Sequence, residues 1–358
     1  MNPLLVDTPS AGYNIYFAGG FSGLPGVLKN WGFEKICVIS DSNVSKLYLE
    51  EVKALIGPNT YGYVFEAGER NKNLDTARLI YEFLINNCFD RKSLLIALGG
   101  GVTGDLVGFV AATYMRGISY AQAPTTLLAQ IDSSVGGKTG VDFLGNKNLI
   151  GAFYQPKFVY TNINALKTLD KRQFASGMAE VIKHGLIMGK PYYEFIIENK
   201  EKINALDFDI LQSLIFKSCE IKKSIVRQDE KESGLREILN FGHTFGHAFE
   251  TLSGFQLTHG HSVAIGMVCS AYYALQNNYI NEDEYASIIN ILKYFGLYGF
   301  NNNFNEEEII SQMYLDKKTK NNVISIITLK GIGGALIVKP SRQELSLCIN
   351  RGLTELGV

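Results

Sequence analysis

Histidines are concentrated in one short stretch of this chain, and a lone carboxylate precedes the remaining one. Four of the five lie close together: His243, His247, His259 and His261. The fifth, His184, comes four positions after Glu180, in the segment GMAEVIKHG. Neutral imidazole and carboxylate are ligands that suit a zinc-type cation. The sequence therefore predicts a metal centre built from some of these residues.

The choice of metal ligands stays open from spacing alone. His243 and His247 are four positions apart in NFGHTFGH and so share one helix face, which makes both of them the simplest pair of ligands. The Glu of an HExxH motif is absent, however, and His259 in LTHGHSV precedes another helix and can approach from a different direction. Glu180 is flanked by apolar residues, as expected for a buried carboxylate that needs a cation. We interpret His261 and His184 as ordinary hydrogen-bonded residues.

A glycine-rich turn predicts a phosphate-binding site. LLIALGGGVTGDLVGF places Gly99, Gly101 and Gly104 directly after a strand and at the start of a helix. Such a turn lets backbone N–H groups and a helix N-terminus approach a pyrophosphate, or simply lets helix and sheet pack closely. The turn departs from the dinucleotide fingerprint because it follows roughly the fourth strand, and no acid lies about 20 positions further on. Asp41, at the end of an earlier strand, is a candidate for binding a ribose.

Several basic residues stand beside glycine, asparagine or apolar residues instead of in charged runs. They are Arg116, Lys138, Lys147, Lys183, Lys222, Arg236 and the pair Lys317 and Lys318. Lys138 and Lys147 lie in SSVGGKTGVDFLGNKN, where Asn148 offers further donors. Cations of this kind near a metal favour an anionic, oxygen-rich substrate such as a phosphorylated sugar. For any single lysine, a solvated helix face is the alternative interpretation.

The alternation of elements predicts the fold class and the domains. Strand-like runs at 13–17, 35–40, 61–67, 93–100 and 119–124 alternate with helical patterns at 43–56, 73–87 and 102–114. This order is typical of βαβ units and a largely parallel sheet. From about residue 170 long helical segments follow, at 171–188, 208–228 and 260–277, with a late hairpin at 323–329 and 334–339. We predict an α/β domain at 1–168 and a mainly helical domain at 169–358.

Composition excludes several classes of protein. The chain has 358 residues, of which 46% are hydrophobic and 19% are charged, so it is a folded globular protein. Its 34 basic and 35 acidic residues leave almost no net charge, which argues against nucleic acid or a membrane surface as partner. The five cysteines are scattered and the N-terminus lacks a secretory pattern, so we expect reduced thiols and a cytoplasmic protein.

Six motifs together resemble the 3-dehydroquinate synthase family. They are GGGVTGDLVGFVAATYMRGI, APTTLLAQIDSSVGGKTGVDF, NKNLIGAFYQP, GMAEVIKHG, LREILNFGHTFGHAFE and LTHGHSVAIGM. The resemblance implies a Rossmann-like NAD-binding α/β domain followed by a mainly α-helical metal-binding domain, a fold shared with glycerol-dehydrogenase-like proteins. The chain departs from the family where HGE becomes HGH, at His261, and where TLPxRE becomes TLDKRQ at 168–173.

The resemblance also implies a role for each candidate residue. One divalent ion, zinc or possibly cobalt, would be held by Glu180, His243 and His259. The implied NAD⁺ contacts are Asp41, Glu69, Lys72, Gly100, Gly101, Val102, Asp105, Thr125, Thr126 and Lys147. The implied substrate contacts are Asp132, Lys138, Asn148, Lys183, Lys222, Arg236, Asn240, His247 and one of Lys317 or Lys318. Arg116 would reach the phosphate site of a neighbouring subunit in a homodimer.

The implied reaction belongs to the second step of the shikimate pathway. It converts 3-deoxy-D-arabino-heptulosonate 7-phosphate to 3-dehydroquinate and phosphate through transient oxidation, β-elimination, reduction, ring opening and an intramolecular aldol. Because NAD⁺ is regenerated, the enzyme is a phosphate-releasing lyase. The alternatives are another sugar phosphate cyclase, such as a 2-deoxy-scyllo-inosose synthase, and a metal-dependent polyol dehydrogenase.

Overall fold

Two compact units make up the chain. The computed structural model describes residues 2–232, 234–254, 256–300, 304–315 and 323–357. The first unit comprises Met1–Leu169 with Leu211–Lys231, and the second comprises Asp170–Ile210 with Glu232–Val358. In this grouping Leu169 and residues 211–231 belong to the first unit, whereas the predicted division at 168/169 assigns them to the second.

The described residues form eleven strands and thirteen α-helices. The strands are β1 Leu4–Asp7, β2 Gly12–Ala18, β3 Ile36–Asp41, β4 Thr60–Phe65, β5 Leu94–Gly99, β6 Ser119–Pro124, β7 Lys138–Phe143, β8 Asn146–Phe153, β9 Phe158–Asn162, β10 Ile326–Leu329 and β11 Ala335–Val338. The helices are α1 Leu24–Leu28, α2 Ser45–Ile56, α3 Leu74–Asn86, α4 Gly101–Thr113, α5 Lys171–Met188, α6 Lys190–Glu198, α7 Lys200–Asn204, α8 Phe208–Gln228, α9 His243–Leu252, α10 His259–Gln276, α11 Glu282–Tyr294, α12 Glu306–Leu315 and α13 Arg342–Leu356.

A seven-stranded sheet organises the first unit. Its order is β1-β2-β9-β6-β5-β3-β4, and every pairing is parallel except that of β1 with β2. The central strands are almost completely buried because helices cover both faces. Alternate residues of β3 point into two separate cores: Cys37 and Ile39 pack with α3 and α4, and Ile36 and Val38 pack with α1 and α2.

Helices dominate the second unit. α10 is buried along most of its length and packs against α5, α9 and α13. The hairpin of β10 and β11 also contacts α10, through β10. Among the described residues, no helix combines the length and the apolar character needed to cross a membrane.

The predicted fold class is confirmed: a largely parallel α/β sheet is followed by a mainly helical region. The five predicted strands correspond to β2 to β6, and the late hairpin corresponds to β10 and β11. Strands β1, β7, β8 and β9 were not predicted, so the glycine-rich turn follows the fifth strand and not the fourth. Glycines on both strands allow the close pairing of β7 with β8: a Cβ on Gly140 would lie 2.9 Å from the Ile150 carbonyl oxygen, and a Cβ on Gly151 would lie 2.2 Å from the Thr139 carbonyl oxygen.

Candidate metal centre and cofactor site

Three helices of the second unit bring a carboxylate and two imidazoles together. Glu180 lies on α5, His243 begins α9 and His259 begins α10. Glu180 Oε1 is 3.6 Å from His243 Nε2 and 3.5 Å from His259 Nε2, and one ligand atom from each residue lies within 4.8 Å of the others. Around a tetrahedral zinc ion with ligands about 2.0–2.1 Å away, neighbouring ligand atoms lie roughly 3.3–3.5 Å apart. The three side chains therefore fit a single divalent ion.

Close helix packing produces this geometry. A Cβ on Gly260 would lie 2.0 Å from the carbonyl oxygen of Ser176, so α10 can touch α5 only because this residue is glycine. A hydrogen bond of 2.9 Å from Gly260 N to Ser176 Oγ fixes the contact. Gly266 plays the same part toward α9, where a Cβ would lie 1.9 Å from the carbonyl oxygen of Gly242.

Glu180 is a buried carboxylate surrounded by basic side chains. Its side chain has no exposed surface, and it forms an ion pair with Lys183, one turn later on α5. Burial alone would raise the pKa of Glu180, but Lys183, His243 and His259 outweigh burial and hold it well below its usual value. The group therefore stays ionised, as a metal ligand must be.

Each of the two histidines has an acceptor beside its second ring nitrogen. His243 Nδ1 lies 3.2 Å from the carbonyl oxygen of Phe241. His259 Nδ1 lies 3.6 Å from Oε2 of Glu250, a buried residue of α9. Burial lowers the pKa of His259, but Glu180 and Glu250 more than compensate and raise it to about 10. Burial and the nearby Lys183 keep the pKa of His243 well below normal.

The other histidines occupy different positions. His247 lies one turn after His243, with ring centroids 5.4 Å apart, and it is outside the group of three close ligand atoms. The simplest pairing, of His243 with His247, is therefore not the one that the structure brings together with Glu180. His261 is buried, its Nδ1 lies 2.5 Å from Thr258 Oγ1, and its ring contacts Phe300.

Further polar side chains of the second unit accompany the metal group. Lys183 and Arg236 have basic side chains, yet each residue is only 2% exposed. Asn240 donates a hydrogen bond of 3.0 Å from Nδ2 to Glu232 Oε1. Arg236 and Asn240 share one short 3₁₀ segment, Leu235–Asn240, directly before α9. Buried charges of this kind are held at binding sites more often than in cores.

In the first unit, the cofactor candidates lie at the carboxyl ends of three parallel strands. β3 ends at Asp41, β5 leads into residues 100–102, and Thr125 and Thr126 follow β6. The chain leaves β3 for β4 on one side and crosses back to β5 on the other, so β3 and β5 form a topological switch point. Ligands of open α/β sheets bind in the crevice at such a point.

This crevice has the features of a dinucleotide site. Gly100 is the N-cap of α4, whose first backbone N–H groups have no acceptor within the helix. Thr103 Oγ1 donates to Asp41 Oδ2 at 3.3 Å, which joins the first turn of α4 to the end of β3. Thr125 Oγ1 and Ser133 Oγ are buried, and neither has a hydrogen-bond partner among the described residues. Donors without partners at a helix N-terminus fit a phosphate or pyrophosphate group.

A charged cluster also gathers residues predicted for the cofactor. The buried Lys72 Nζ lies 2.6 Å from Glu69, 3.5 Å from Asp105 and 3.6 Å from Asp142. Lys147 Nζ lies 4.0 Å from Glu69. Burial, only partly offset by Lys72, raises the pKa of Asp105 to about 6.

The remaining predicted substrate residues of the first unit lie in three places. Asp132 and Lys222 form an ion pair of 2.6 Å. Lys138 and Asn148 are exposed on β7 and β8, and Asn148 has a left-handed φ of 51°. Arg116 is exposed and also left-handed, with φ 65°. Lys317 and Lys318 lie outside the described residues.

Two residues that contact this machinery were missed from the sequence. Glu250 follows His243 by seven positions and His247 by three, so it lies on the same helix face as both. This spacing could have identified Glu250 from the sequence. Asp142 accepts from the backbone N–H of Asn148 at 2.8 Å and also contacts Lys72. Its role depends on the β7–β8 hairpin, which was not predicted.

Solved structures with this fold define the class. The chain is similar, with TM-score 0.88 and 25% identity, to 2-deoxy-scyllo-inosose synthase complexed with carbaglucose-6-phosphate, NAD⁺ and Co²⁺, covering 97% of this chain and 99% of the other. It shares its fold with the 2-epi-5-epi-valiolone synthase ValA of Streptomyces hygroscopicus subsp. jinggangensis 5008, with NAD⁺ and Zn²⁺ bound, at TM-score 0.89, 22% identity and coverage of 96% and 97%. The chain thus has the fold of the sugar phosphate cyclases.

Within that class, the chain belongs to the 3-dehydroquinate synthase family. Residues 62–176 match the 3-dehydroquinate synthase N-terminal family and residues 177–319 match the C-terminal family. It is 45% identical, over the full length of both chains, to the 3-dehydroquinate synthase of Acetivibrio thermocellus. The resemblance drawn from the motifs is confirmed.

Proposed function

We propose that this protein is a 3-dehydroquinate synthase, which converts 3-deoxy-D-arabino-heptulosonate 7-phosphate to 3-dehydroquinate and phosphate. The 45% sequence identity to a 3-dehydroquinate synthase over the whole chain supports this activity. The observation that carries the chemistry is the convergence of Glu180, His243 and His259 around one point. The products make the enzyme a carbon–oxygen lyase.

NAD⁺ and one divalent ion, zinc or cobalt, are the cofactors that fit these residues. The related cyclase structures hold NAD⁺ with Co²⁺ or Zn²⁺. We assign NAD⁺ to the crevice at the carboxyl ends of β3, β5 and β6, and the ion to Glu180, His243 and His259. When bound, the two groups supply a hydride acceptor and a Lewis acid for the hydroxyl that is oxidised.

The polar residues of the second unit would bind the anionic substrate. Arg236 offers a planar pair of donors, which suits a carboxylate. Asn240 lies on the same 3₁₀ segment as Arg236, and His247 lies on the following helix, α9. We assign both residues to the carboxylate and the neighbouring hydroxyls of the substrate. Lys183, adjacent to the ligand Glu180, would hold a hydroxyl close to the ion. A carboxylated substrate explains this set better than a sugar phosphate without a carboxylate.

We also assign residues of the first unit to the substrate. Lys138 and Asn148 are exposed donors on neighbouring strands and suit the phosphate. Asp132 holds the ammonium group of Lys222 in place, and we assign that group to an oxygen of the substrate. We also propose Arg116, and one of Lys317 or Lys318, as phosphate ligands. Holding one substrate through several steps requires many fixed contacts.

The proposed assembly and location follow from the family. We propose a homodimer, in which Arg116 serves the phosphate site of the neighbouring subunit, and a cytoplasmic location. Arg116 is exposed and leaves the 3₁₀ turn Tyr114–Arg116 in a left-handed conformation, a backbone cost that suggests a specific role for its direction.

The test is a coupled assay on metal-stripped protein to which NAD⁺ and Zn²⁺ or Co²⁺ are added back. We expect phosphate and 3-dehydroquinate in equal amounts, no accumulation of NADH, and no activity before metal is restored. Glucose 6-phosphate serves as the parallel substrate. Turnover of glucose 6-phosphate alone would establish a 2-deoxy-scyllo-inosose synthase instead, and steady NADH production without phosphate release would establish a polyol dehydrogenase.

A further inference from the structure

His259 lies between two buried carboxylates. Its Nε2 is 3.5 Å from Glu180 Oε1, and its Nδ1 is 3.6 Å from Glu250 Oε2. Glu180 is completely buried and Glu250 is 5% exposed. The two ring nitrogens therefore face different acids, only one of which belongs to the group of three close ligand atoms.

His243 shows the same arrangement with a different acceptor. Its Nε2 is also directed at Glu180 Oε1, at 3.6 Å, while its Nδ1 lies 3.2 Å from the carbonyl oxygen of Phe241. An imidazole that donates the Nδ1 proton presents its lone pair at Nε2, where a metal can bind. In both histidines, the ring nitrogen that faces away from Glu180 thus has an oxygen acceptor beside it, a backbone carbonyl for His243 and a carboxylate for His259.

The position of Glu250 favours a role at the metal over a structural one. It is a carboxylate inside the apolar sequence AFETL of α9, next to the buried Ala248 and Phe249. Burying a carboxylate costs several kcal/mol unless charged or hydrogen-bonding partners compensate. Glu250 follows His243 by seven positions on α9, so the two residues share one helix face. That face therefore carries the candidate ligand His243 and also the acid that lies beside the candidate ligand His259.

We propose that Glu250 is a positioning residue of the metal centre, which accepts the Nδ1 proton of His259 and so directs Nε2 at the ion. This inference deepens the proposed function and rests on the assignment of Glu180, His243 and His259 as ligands. Carboxylates that hold a metal-bound histidine in this way typically account for about 10- to 100-fold in metal affinity.

The test compares Glu250→Ala and Glu250→Gln with a control variant in the same unit. Thr328→Val is that control, because buried Thr328 donates a 2.7 Å hydrogen bond to the Ser270 carbonyl oxygen and touches none of the ligands. For each full-length, metal-stripped protein, the Zn²⁺ dissociation constant is measured by competition with a chromophoric chelator. The visible absorption spectrum of the Co²⁺ form is recorded alongside.

We expect Glu250→Ala to weaken Zn²⁺ binding by about 10- to 100-fold and to alter the Co²⁺ spectrum. Glu250→Gln should lose less, because its amide oxygen can still accept the Nδ1 proton. Thr328→Val should lower thermal stability but leave the metal constant and the spectrum unchanged.

Three results would overturn the inference. Wild-type metal affinity and spectrum in Glu250→Ala would remove any role for Glu250 at the ion while leaving the proposed ligands intact. Equal losses of affinity in Glu250→Ala and Thr328→Val would reduce its effect to general stability. Absence of stoichiometric metal in the wild-type protein would instead refute the ligand assignment itself, and the inference with it.

Discussion

The contact between α5 and α10 can be tested by adding a single methyl group. In Gly260→Ala, the new Cβ would meet the Ser176 carbonyl oxygen at 2.0 Å and the Ser176 Cα at 2.5 Å. Both are backbone atoms, so no side-chain rotation can relieve the overlap. Ordinary contact begins near 3.4 Å, so the helices must separate by about 1.4 Å at this point.

That displacement is large compared with the tolerance of the metal centre. Overpacking of this kind costs about 1–3 kcal/mol of stability. Functional groups must be held within roughly 0.5 Å of their productive positions. Because Gly260 directly follows His259 on α10, the Nε2 of His259 would move away from Glu180 Oε1. We therefore expect the metal dissociation constant to rise by at least about tenfold, which corresponds to ~1.4 kcal/mol.

The assay measures metal content, metal affinity and denaturant unfolding for Gly260→Ala and for a matched control, Gly26→Ala. Gly26 is an exposed residue of α1, and a Cβ there would meet nothing within 4 Å. The control should bind metal normally and gain about 0.5–1 kcal/mol of stability, since alanine favours helix. If Gly260→Ala retained both wild-type stability and wild-type metal affinity, helix contact would not set the geometry of the site.

Three further predictions concern other contacts. His243→Ala should lose stoichiometric metal and activity, whereas His247→Ala should keep its metal and lose turnover; metal analysis of both variants decides between them, and metal loss in the second would make His247 a ligand. Asp142→Ala should lower kcat/KM by about tenfold, because it removes the acceptor for the backbone N–H of Asn148. Asp142→Asn keeps an acceptor oxygen and should lose little activity. Equal kcat/KM in the wild-type protein and both variants would contradict this prediction. Hydrogen bonds from the Ser10, Gln155 and Thr8 side chains outweigh burial and lower the pKa of Glu230, so its contribution to stability is present above its unfolded pKa and is lost as the pH falls. Glu230→Gln should therefore be less stable by about 1–2 kcal/mol at pH 7 in urea unfolding, with a deficit that shrinks below about pH 4; a constant deficit would refute it.

Elements with a strong local pattern were predictable from the sequence. The central strands β3 and β5 are buried on both faces, so their continuous apolar runs identified them. The hairpin of β7 and β8 was not predictable, because its glycines serve close strand pairing instead of a loop. The grouping of residues 211–231 with the first unit depends on contacts distant in sequence, such as that between Phe17 and Phe216.

The candidate site was predictable in its residue types but not in its grouping. Spacing alone favoured His243 with His247, because two residues four apart share a helix face. The grouping of His243 with His259 instead depends on the packing of α10 against α5. That packing rests on Gly260 and on its contact with Ser176, which is distant in sequence. The family resemblance implied that grouping, whereas the acceptors beside the second ring nitrogens, such as Glu250, are apparent only in the folded structure.

The ion pair of Glu180 with Lys183 has a consequence for how the protein survives loss of its ion. An isolated buried carboxylate would strongly favour unfolding, but here an ammonium group already balances the charge from one turn away. The stripped form should therefore persist as a folded reservoir and reload as soon as metal returns. The ion that is bound, zinc or cobalt, would then depend on the concentrations available to the folded protein, and replacing one by the other would not require synthesis of a new chain.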